Sequence, residues 1–179
     1  MNQRLHDQLK KIKLLALDFD GVMTDGTVFV NENGAESVQC SRKDGEGIAR
    51  LLQRGIAVHV LSKEENPVVA QRCKKLRIPC DQAIRDGEGK REILERISKT
   101  SGLEPDRVAY IGDDLHDVPP LQYAGLAITV ADGHPDVIKI ADYVTRASGG
   151  QHAVREVAEL ILSAQILDAT RISTRRQND

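Results

Sequence analysis

Two aspartates, Asp18 and Asp20, are separated by a single residue at the end of an apolar run in the segment LLALDFDGVMTDG (14–26). Crowded carboxylates repel one another and lose hydration, so this arrangement is costly unless a positive charge lies nearby. Residues two apart in an extended strand point to the same side, and they can diverge where the strand becomes a loop. The two carboxylates could then face different groups of one ligand. The pattern predicts cation-assisted chemistry at this strand end.

Polar groups of complementary kinds follow other apolar runs of the chain. Ser62 follows a run in VLSKEE, Lys90 opens a helical pattern in GEGKREIL, and Asp113, Asp114 and Asp117 follow the run VAYI. In an open parallel sheet the carboxyl ends of the strands meet at one edge, where ligands bind. Carboxylate oxygens with few nitrogen or sulfur partners favour Mg²⁺. A Mg²⁺ site with a lysine and a hydroxyl nearby is typical of phosphoryl transfer.

The elements that must position these residues alternate in the manner of βαβ units. Short β-branched runs predict strands at 13–19, 57–61, 108–111 and 126–130, with weaker ones at 80–83 and 143–144. The segment GTVFVNENGAESVQC interrupts this alternation and predicts a β-hairpin around the turn NENG. We therefore predict an α/β fold, a single Rossmann-like parallel-sheet domain over residues 1–165 with a β-hairpin inserted after strand 1. A polar tail follows over 166–179.

Composition narrows the functional class. The chain has 179 residues and a net charge of −2, and only 3% of its residues are aromatic, with no Trp. Its lysines and arginines are interspersed with acids, so neither a basic face for nucleic acid nor a base-stacking platform is expected. The start of the chain lacks the apolar core of a signal peptide, and no apolar run approaches the ~20 residues that span a bilayer. With three cysteines and no CxxC pair, we expect a cytoplasmic protein with reduced thiols that binds neither nucleic acid nor membrane.

Taken in order, DFDGVMTDG, Ser62, Lys90 and GDDLHD resemble the four motifs of the haloacid dehalogenase superfamily of aspartyl-phosphate phosphatases. The resemblance implies that Asp18 attacks phosphorus. It also implies that Asp20 protonates the leaving alkoxide and then activates the water that hydrolyses the aspartyl phosphate. Ser62 and Lys90 would hold the phosphoryl oxygens.

The same resemblance implies a Mg²⁺ cofactor. Its ligands would be Asp18, the backbone carbonyl of Asp20, and Asp113, with Asp114 and Asp117 in support. Either of the last two could instead cap the helix that begins in LHDVPPL. We expect His116, beside these acids, to lie at the surface rather than to take part in the chemistry.

The spacing of the motifs leaves no room for a cap domain. Only the hairpin and one helix fit between Asp20 and Ser62, and only a helix, a short strand and a turn fit between Ser62 and Lys90. A phosphatase without a cap cannot close its site against water with its own residues. It must act on a large substrate or take its lid from a neighbouring subunit.

Three segments resemble one capless branch, the phosphatases of phosphorylated 3-deoxy-2-ulosonic acids. These are the hairpin, SRKDGEGI (41–48) and VTRASGGQHAVREVAELIL (144–162). That branch forms homotetramers in which the hairpins build a central barrel and neighbouring subunits complete each active site. The resemblance implies a small sugar-acid phosphate as substrate, and Asp20 would contact it. Further candidate contacts lie in SRKDGEGI, namely Ser41, Lys43, Asp44 and Gly45.

The sequence departs from the pattern of this branch at one place that concerns the choice of substrate. Where eight-carbon enzymes usually carry a Gly-Arg pair after the second motif, this chain has Lys63 and Glu64. Glu64 could accept hydrogen bonds from sugar hydroxyls, and EENP resembles the sub-branch acting on nine-carbon acids. Arg72 and Lys75, three residues apart on one predicted helix, could pair with the substrate carboxylate. The substrate therefore stays open between 2-keto-3-deoxynononate or acylneuraminate 9-phosphate and 3-deoxy-manno-octulosonate 8-phosphate.

Two functions of other classes compete with this one. A signalling receiver domain also combines acids, a hydroxyl and a lysine, but its acid pair is adjacent and its phosphorylated aspartate lies on the third strand. A catalytically silent tetramerisation module, related to the C-terminal domain of acylneuraminate cytidylyltransferases, is the stronger alternative. Such a module has no reason to retain the acids, Ser62 and Lys90, which weighs against it.

Overall fold

Strands and helices alternate along the chain, as the sequence predicts. The computed structural model describes the backbone of residues 3–176 and the side chains of residues 3–166. The strands are β1 (Leu14–Leu17), β2 (Phe29–Val30), β3 (Glu36–Ser37), β4 (Ala57–Leu61), β5 (Cys80–Asp81), β6 (Val108–Gly112), β7 (Leu126–Thr129) and β8 (Tyr143–Val144). The α-helices are α1 (Gln3–Lys11), α2 (Arg42–Gln53), α3 (Val68–Leu76), α4 (Gly87–Thr100), α5 (Val118–Tyr123), α6 (Pro135–Ile140) and α7 (Ala153–Arg176). Two 3₁₀ helices cover Pro105–Arg107 and Leu115–Asp117.

Six strands form one parallel sheet in the order β5-β4-β1-β6-β7-β8. The chain moves outward from β1 through β4 to β5, returns to β6 on the other side of β1, and continues to β7 and β8. The strand order therefore reverses between β1 and β6, the position where doubly wound sheets bind their ligands. The predicted Rossmann-like α/β class is confirmed.

Both faces of the sheet are buried, because β1 distributes its four apolar residues between them. Leu15 and Leu17 belong to one core cluster, which also contains residues of α1, α2 and α7. Leu14 and Ala16 belong to a second cluster on the opposite face, together with residues of α4, α5 and α6. A strand covered on both faces reads as a continuous apolar run, and LLAL has this pattern.

The hairpin lies outside the main sheet, and β2 and β3 pair antiparallel over two residues each. The turn NENG connects them, with the N–H of Gly34 donating to the carbonyl of Asn31 at 2.9 Å and Gly34 at φ +76°. Between β1 and β4 the described chain contains only this hairpin and α2, and between β4 and α4 only α3 and β5. The predicted absence of a cap domain is confirmed for these segments.

Several boundaries differ from the sequence predictions. The first strand ends at Leu17 because the N–H groups of Met23 and Thr24 both bond the carbonyl of Phe19, which turns the chain immediately after Asp18. Helix α1 was not predicted; its Leu5 and Leu9 join the same core cluster as Ile161 of α7. No described helix combines the length and apolar character needed to cross a membrane.

Helix α7 continues to Arg176 and thus crosses the predicted boundary at residue 165. The division into a domain and a tail stays a prediction, and residues 177–179 lie outside the described chain.

Candidate active site

Asp18 lies at the junction of β1 and β6, directly after the last residue of β1. Leu17 pairs with Ile111 in the sheet, and the N–H of Asp18 donates to the carbonyl of Ile111 at 2.9 Å. The carboxylate is buried, and its Oδ1 accepts the N–H of Phe19 at 2.6 Å. Its Oδ2 lies 2.7 Å from Lys90 Nζ and 2.8 Å from His116 Nε2. Burial alone would raise the pKa of Asp18, but the charge of Lys90 and the contact with His116 hold it below its ordinary value.

Lys90 is a fully buried ammonium that bridges two carboxylates. Its Nζ lies 2.7 Å from Asp18 Oδ2 and 2.8 Å from Asp117 Oδ1. Burial would lower the pKa of Lys90, and the charges of Asp18 and Asp117 overcome this and raise it, so the group stays charged. The structure thus brings Lys90 to the predicted strand end, in contact with Asp18.

Asp117 organises the loop after β6. Its Oδ1 also accepts the hydroxyl of Tyr110 at 2.8 Å, and its Oδ2 accepts the N–H groups of Asp113 at 3.0 Å and Asp114 at 3.3 Å. This approach requires glycine at position 112, because a Cβ there would lie 2.3 Å from the Asp117 Cβ. Asp117 therefore fixes the backbone that presents Asp113.

Asp20 enters the site from the loop after β1, as predicted. Its Oδ1 accepts a hydrogen bond from the buried hydroxyl of Thr24 at 3.3 Å. Burial and the nearby carboxylate of Asp18 raise the pKa of Asp20. Such a carboxyl group is suited to hold a proton and to donate it.

A group of donor atoms that could hold a metal ion lies between the loops after β1 and β6. Asp18, Asp113, His116 and Asp117 each contribute one donor atom, and all four atoms lie within 4.8 Å of one another. Asp113 Oδ1 is buried and has no hydrogen-bond partner. Burial and the carboxylates of Asp18 and Asp117 raise the pKa of Asp113 to about 7. A buried carboxylate oxygen without a donor, beside two further acids, fits a bound Mg²⁺.

The loop after β1 makes room for Asp113. Gly21 has φ +75°, and a Cβ on it would lie 2.0 Å from Asp113 Oδ2. The glycine is thus required both for the turn and for the approach of the two loops.

The structure separates the two aspartates that were predicted as supporting ligands. Asp117 belongs to the donor group, although Lys90 and Tyr110 already occupy its Oδ1. Asp114 stands outside that group, and its side chain caps the following 3₁₀ helix through the N–H of Leu115 at 2.7 Å.

His116 is the site residue that the sequence analysis missed. Its imidazole is about a quarter exposed and contacts Asp18, so the expected surface location is wrong. In the sequence, only its position next to Asp117 in GDDLHD placed it near the site.

A cavity of about 320 Å³ opens at this edge of the sheet. Its lining is strongly acidic, with one lysine and one histidine: Asp18, Asp20, Gly21, Gly26, Ser62, Lys63, Glu64, Asp113, Asp114 and His116. Ser62 follows β4, and its buried hydroxyl accepts the N–H of Glu64 at 3.0 Å, which leaves its proton available for an oxygen in the cavity. Glu64 Oε1 accepts the N–H groups of Glu65 and Asn66 at 2.7 Å each.

Six predicted substrate contacts do not line this cavity: Ser41, Lys43, Asp44, Gly45, Arg72 and Lys75. Ser41 caps α2 through the N–H of Lys43 at 3.1 Å, and its hydroxyl lies 2.8 Å from His152 Nδ1. Arg72 donates to the carbonyl of Ser41 at 2.8 Å. These contacts tie the starts of α2 and α7 to the middle of α3 within the chain.

The remaining members of this set have separate surroundings. Asp44 is buried and accepts the N–H of Arg155 at 2.8 Å, while its Oδ2 has no hydrogen-bond partner. Gly45 packs against α3, since a Cβ there would lie 2.9 Å from Leu76 Cδ2. Lys75 is exposed. Contact of these residues with a substrate stays a prediction.

A doubly wound sheet that gathers an acid pair, a buried lysine and a hydroxyl at its switch point defines the class of phosphoryl-transferring α/β hydrolases. A family model described as haloacid dehalogenase-like hydrolase matches residues 73–157. The 3-deoxy-D-manno-octulosonate 8-phosphate phosphatase of Escherichia coli strain K12 is 39% identical over 161 residues, which cover 87% of this chain and 82% of the relative.

Two solved structures are similar over most of their length. The phosphatase of the same name from Yersinia pestis is 36% identical, with a TM-score of 0.88 and coverage of 92% of this chain and 88% of that one. The one from Moraxella catarrhalis, in complex with magnesium ion, phosphate ion and a KDO molecule, is 36% identical with a TM-score of 0.88. It covers 97% of this chain and 99% of its own. The chain therefore belongs to the haloacid dehalogenase-like hydrolases, in the capless branch of its relatives, and it is a phosphomonoesterase.

Proposed function

We propose that the chain hydrolyses the phosphomonoester of a 3-deoxy-2-ulosonic acid, and that 3-deoxy-D-manno-octulosonate 8-phosphate is its substrate. The observation that carries this proposal is the likeness to the Moraxella catarrhalis phosphatase with its bound KDO molecule, which extends over 97% of this chain. The acid pair and the Ser62 hydroxyl line one cavity, and the buried Lys90 contacts Asp18 from behind it, so the groups that phosphoryl transfer needs lie together.

In the proposed mechanism Asp18 is the nucleophile. Its pKa, held low by Lys90 and His116, keeps the carboxylate charged, and one of its oxygens forms a bond to phosphorus while the ester bond to the sugar oxygen breaks. Asp20, whose pKa is raised, donates its proton to the departing alkoxide. The carboxylate of Asp20 then takes a proton from water as that water attacks phosphorus, which releases phosphate and restores Asp18.

Lys90 and Ser62 support this reaction from two sides. The Lys90 ammonium neutralises charge at Asp18, and the Ser62 hydroxyl at the cavity wall can donate to a phosphoryl oxygen. Asp18 and Asp113 would hold Mg²⁺, together with the backbone carbonyl of Asp20. When bound, the ion would neutralise the negative charge that gathers on the phosphoryl group.

A nine-carbon substrate is the second candidate, and the position of Glu64 favours it. This residue lines the cavity with a carboxylate where a Gly-Arg pair would provide a cation. A carboxylate accepts hydrogen bonds from sugar hydroxyls, and a longer substrate offers more of them. Glu64→Arg should shift preference toward the eight-carbon ester, and unchanged relative kcat/KM values would contradict this role.

We also propose that the protein assembles as a homotetramer whose hairpins pack together. Val28, Phe29 and Val30 are 48%, 69% and 59% exposed, and they form an apolar segment, leading into β2, of a kind that folded monomers seldom leave uncovered. A neighbouring subunit at the hairpin could also close the cavity, since the described chain has no cap.

The decisive experiment measures phosphate release from eight- and nine-carbon ulosonic acid phosphates, with and without Mg²⁺, using Asp18→Asn as the blank. We expect Mg²⁺-dependent turnover that favours the eight-carbon ester. A preference for the nine-carbon ester would support the second candidate. No phosphate release, even from p-nitrophenyl phosphate with Mg²⁺, would favour the silent tetramerisation module.

A further inference from the structure

Thr24 is a buried residue of the loop after β1 whose hydroxyl makes three contacts. It accepts the N–H of Gly26 at 3.1 Å and the N–H of Gly21 at 3.3 Å, and it lies 3.3 Å from Asp20 Oδ1. The residue is 0% exposed, so water does not compete for these contacts. The hydroxyl thus links both ends of the loop to the carboxyl group of Asp20.

Which group donates in the contact between Thr24 and Asp20 follows from the hydrogen-bonding capacity of the hydroxyl. A threonine hydroxyl has one proton to donate and two lone pairs that accept. The amides of Gly21 and Gly26 can only donate, and they occupy the lone pairs. The proton of Thr24 is therefore left for Asp20 Oδ1. The distance of 3.3 Å is long for such a bond, and catalytic contacts are often long before substrate binds.

This contact distinguishes the two oxygens of Asp20. Because Oδ1 accepts the Thr24 proton, an acidic proton on the carboxyl group belongs on Oδ2. We propose that Thr24 is a positioning residue that fixes the carboxyl group of Asp20 and makes Oδ2 the oxygen that delivers the proton to the leaving group. The inference rests on the proposed role of Asp20 as general acid.

A substrate pair with different leaving groups tests this role. An alkyl phosphate such as 3-deoxy-D-manno-octulosonate 8-phosphate needs a proton on its leaving oxygen, whereas p-nitrophenolate departs as an anion. The readout is kcat/KM, which reports the step that breaks the ester bond. Thr24→Val keeps the side-chain shape and removes the hydroxyl. We expect it to lower kcat/KM about tenfold for the alkyl phosphate and less than about twofold for p-nitrophenyl phosphate, a part of the ~10²–10⁴-fold that general acids contribute.

Three variants complete the design. Thr24→Ser restores the hydroxyl and should recover most of the alkyl phosphate activity. Thr27→Val is the matched control, since Thr27 donates its hydroxyl to the exposed Asp25 at 2.6 Å on the same loop, and it should leave both activities unchanged. Asp20→Asn should lower kcat/KM far more for the alkyl phosphate than for the aryl phosphate.

Each outcome decides one claim. Equal losses on both substrates for Thr24→Val, beside an unequal loss for Asp20→Asn, would show a merely structural threonine and overturn the inference. Equal losses for Asp20→Asn would overturn the acid role on which the inference rests. If Thr24→Val does not yield folded protein, Thr24→Ala is measured against Thr24→Ser with the same substrates and the same criteria.

Discussion

Two regions of the molecule differ in how fully their side chains are buried and paired within this one chain. The first is the strand-end site, formed by Asp18, Lys90 and Asp117, and the second is the hairpin of β2 and β3. In the strand-end site the three side chains are buried, and Lys90 meets both carboxylates within 3 Å, at 2.7 and 2.8 Å. At the hairpin the apolar residues 28–30 are between 48% and 69% exposed. The groups that we propose to react are thus organised within one chain, and we expect closure over the substrate to depend on what covers the hairpin.

The largest expected effect is on activity, and it tests the strand-end site. Asp18→Asn removes the proposed nucleophile while keeping the size of the side chain, and we expect kcat for p-nitrophenyl phosphate to fall by about 10³-fold or more. Asp25→Asn is the matched control, because Asp25 lies on the same loop and its Oδ1 accepts the N–H and hydroxyl of Thr27, which an amide oxygen can also do. Substantial turnover by Asp18→Asn, with the control active, would contradict covalent catalysis by this chain.

Lys90→Met should show how much of the fold depends on the same site. The change leaves the carboxylates of Asp18 and Asp117 buried without their cation, and breaking a buried pair in this way costs about 3–5 kcal/mol. Urea unfolding at pH 7 measures the loss. Lys99→Met on the same helix removes an exposed pair with Glu95 and should leave the urea midpoint unchanged. Equal midpoints for the two variants would mean that the strand-end site is not held by its ion pairs.

The meeting of several predicted polar residues at one edge of the sheet was predictable, because it depends on topology. Asp18, Ser62 and Asp113 follow apolar runs, and in a parallel sheet the ends of such runs must meet at one edge. The direction in which a side chain leaves a 3₁₀ turn is not encoded in this way, so the contact of His116 with Asp18 was missed.

The surroundings of α2 were less predictable. The segment SRKDG starts a helix, and Asp44 turns toward the N-terminus of α7, more than a hundred residues away in sequence. That direction depends on the docking of α7, which no local pattern shows. The same holds for α1, whose nine residues are held by packing against α7.

Asp113 has two expected effects on stability, one through the proton that it holds and one through Mg²⁺ binding. Removal of Mg²⁺ should separate them. The pKa of Asp113 is raised to about 7, so the folded protein holds this proton more tightly than the unfolded chain. The stability that results is present at acid pH and is lost as pH rises toward 7. In Mg²⁺-free buffer we therefore expect Asp113→Asn to be more stable than the wild type at pH 8 and equal to it near pH 4, measured by thermal unfolding.

Added Mg²⁺ should reverse that order at pH 8. A ligand at a hundredfold excess over its Kd stabilises the folded state by about 2.7 kcal/mol, and the wild type should gain more than Asp113→Asn. Protons compete for the same oxygen, so Mg²⁺ affinity measured by calorimetry should weaken as pH falls below about 7. Asp114→Asn is the control, since Asp114 caps a 3₁₀ helix outside the donor group. Identical responses of the Asp113 and Asp114 variants to Mg²⁺ would place the ion elsewhere.

The smallest expected effect on the chemistry belongs to the hairpin. Phe29→Ser removes the most exposed apolar side chain of β2, and we expect light scattering to show smaller assemblies. Because no residue of the strand-end site lies in the hairpin, kcat for p-nitrophenyl phosphate should change less than about threefold, while KM for the sugar-acid phosphate rises. Ile138→Ser, which removes a partly exposed apolar residue of α6, should change neither property. An unchanged assembly and an unchanged KM in Phe29→Ser would mean that the exposed hairpin has no part in closing the site, and the contrast between the two regions would then reflect only their burial.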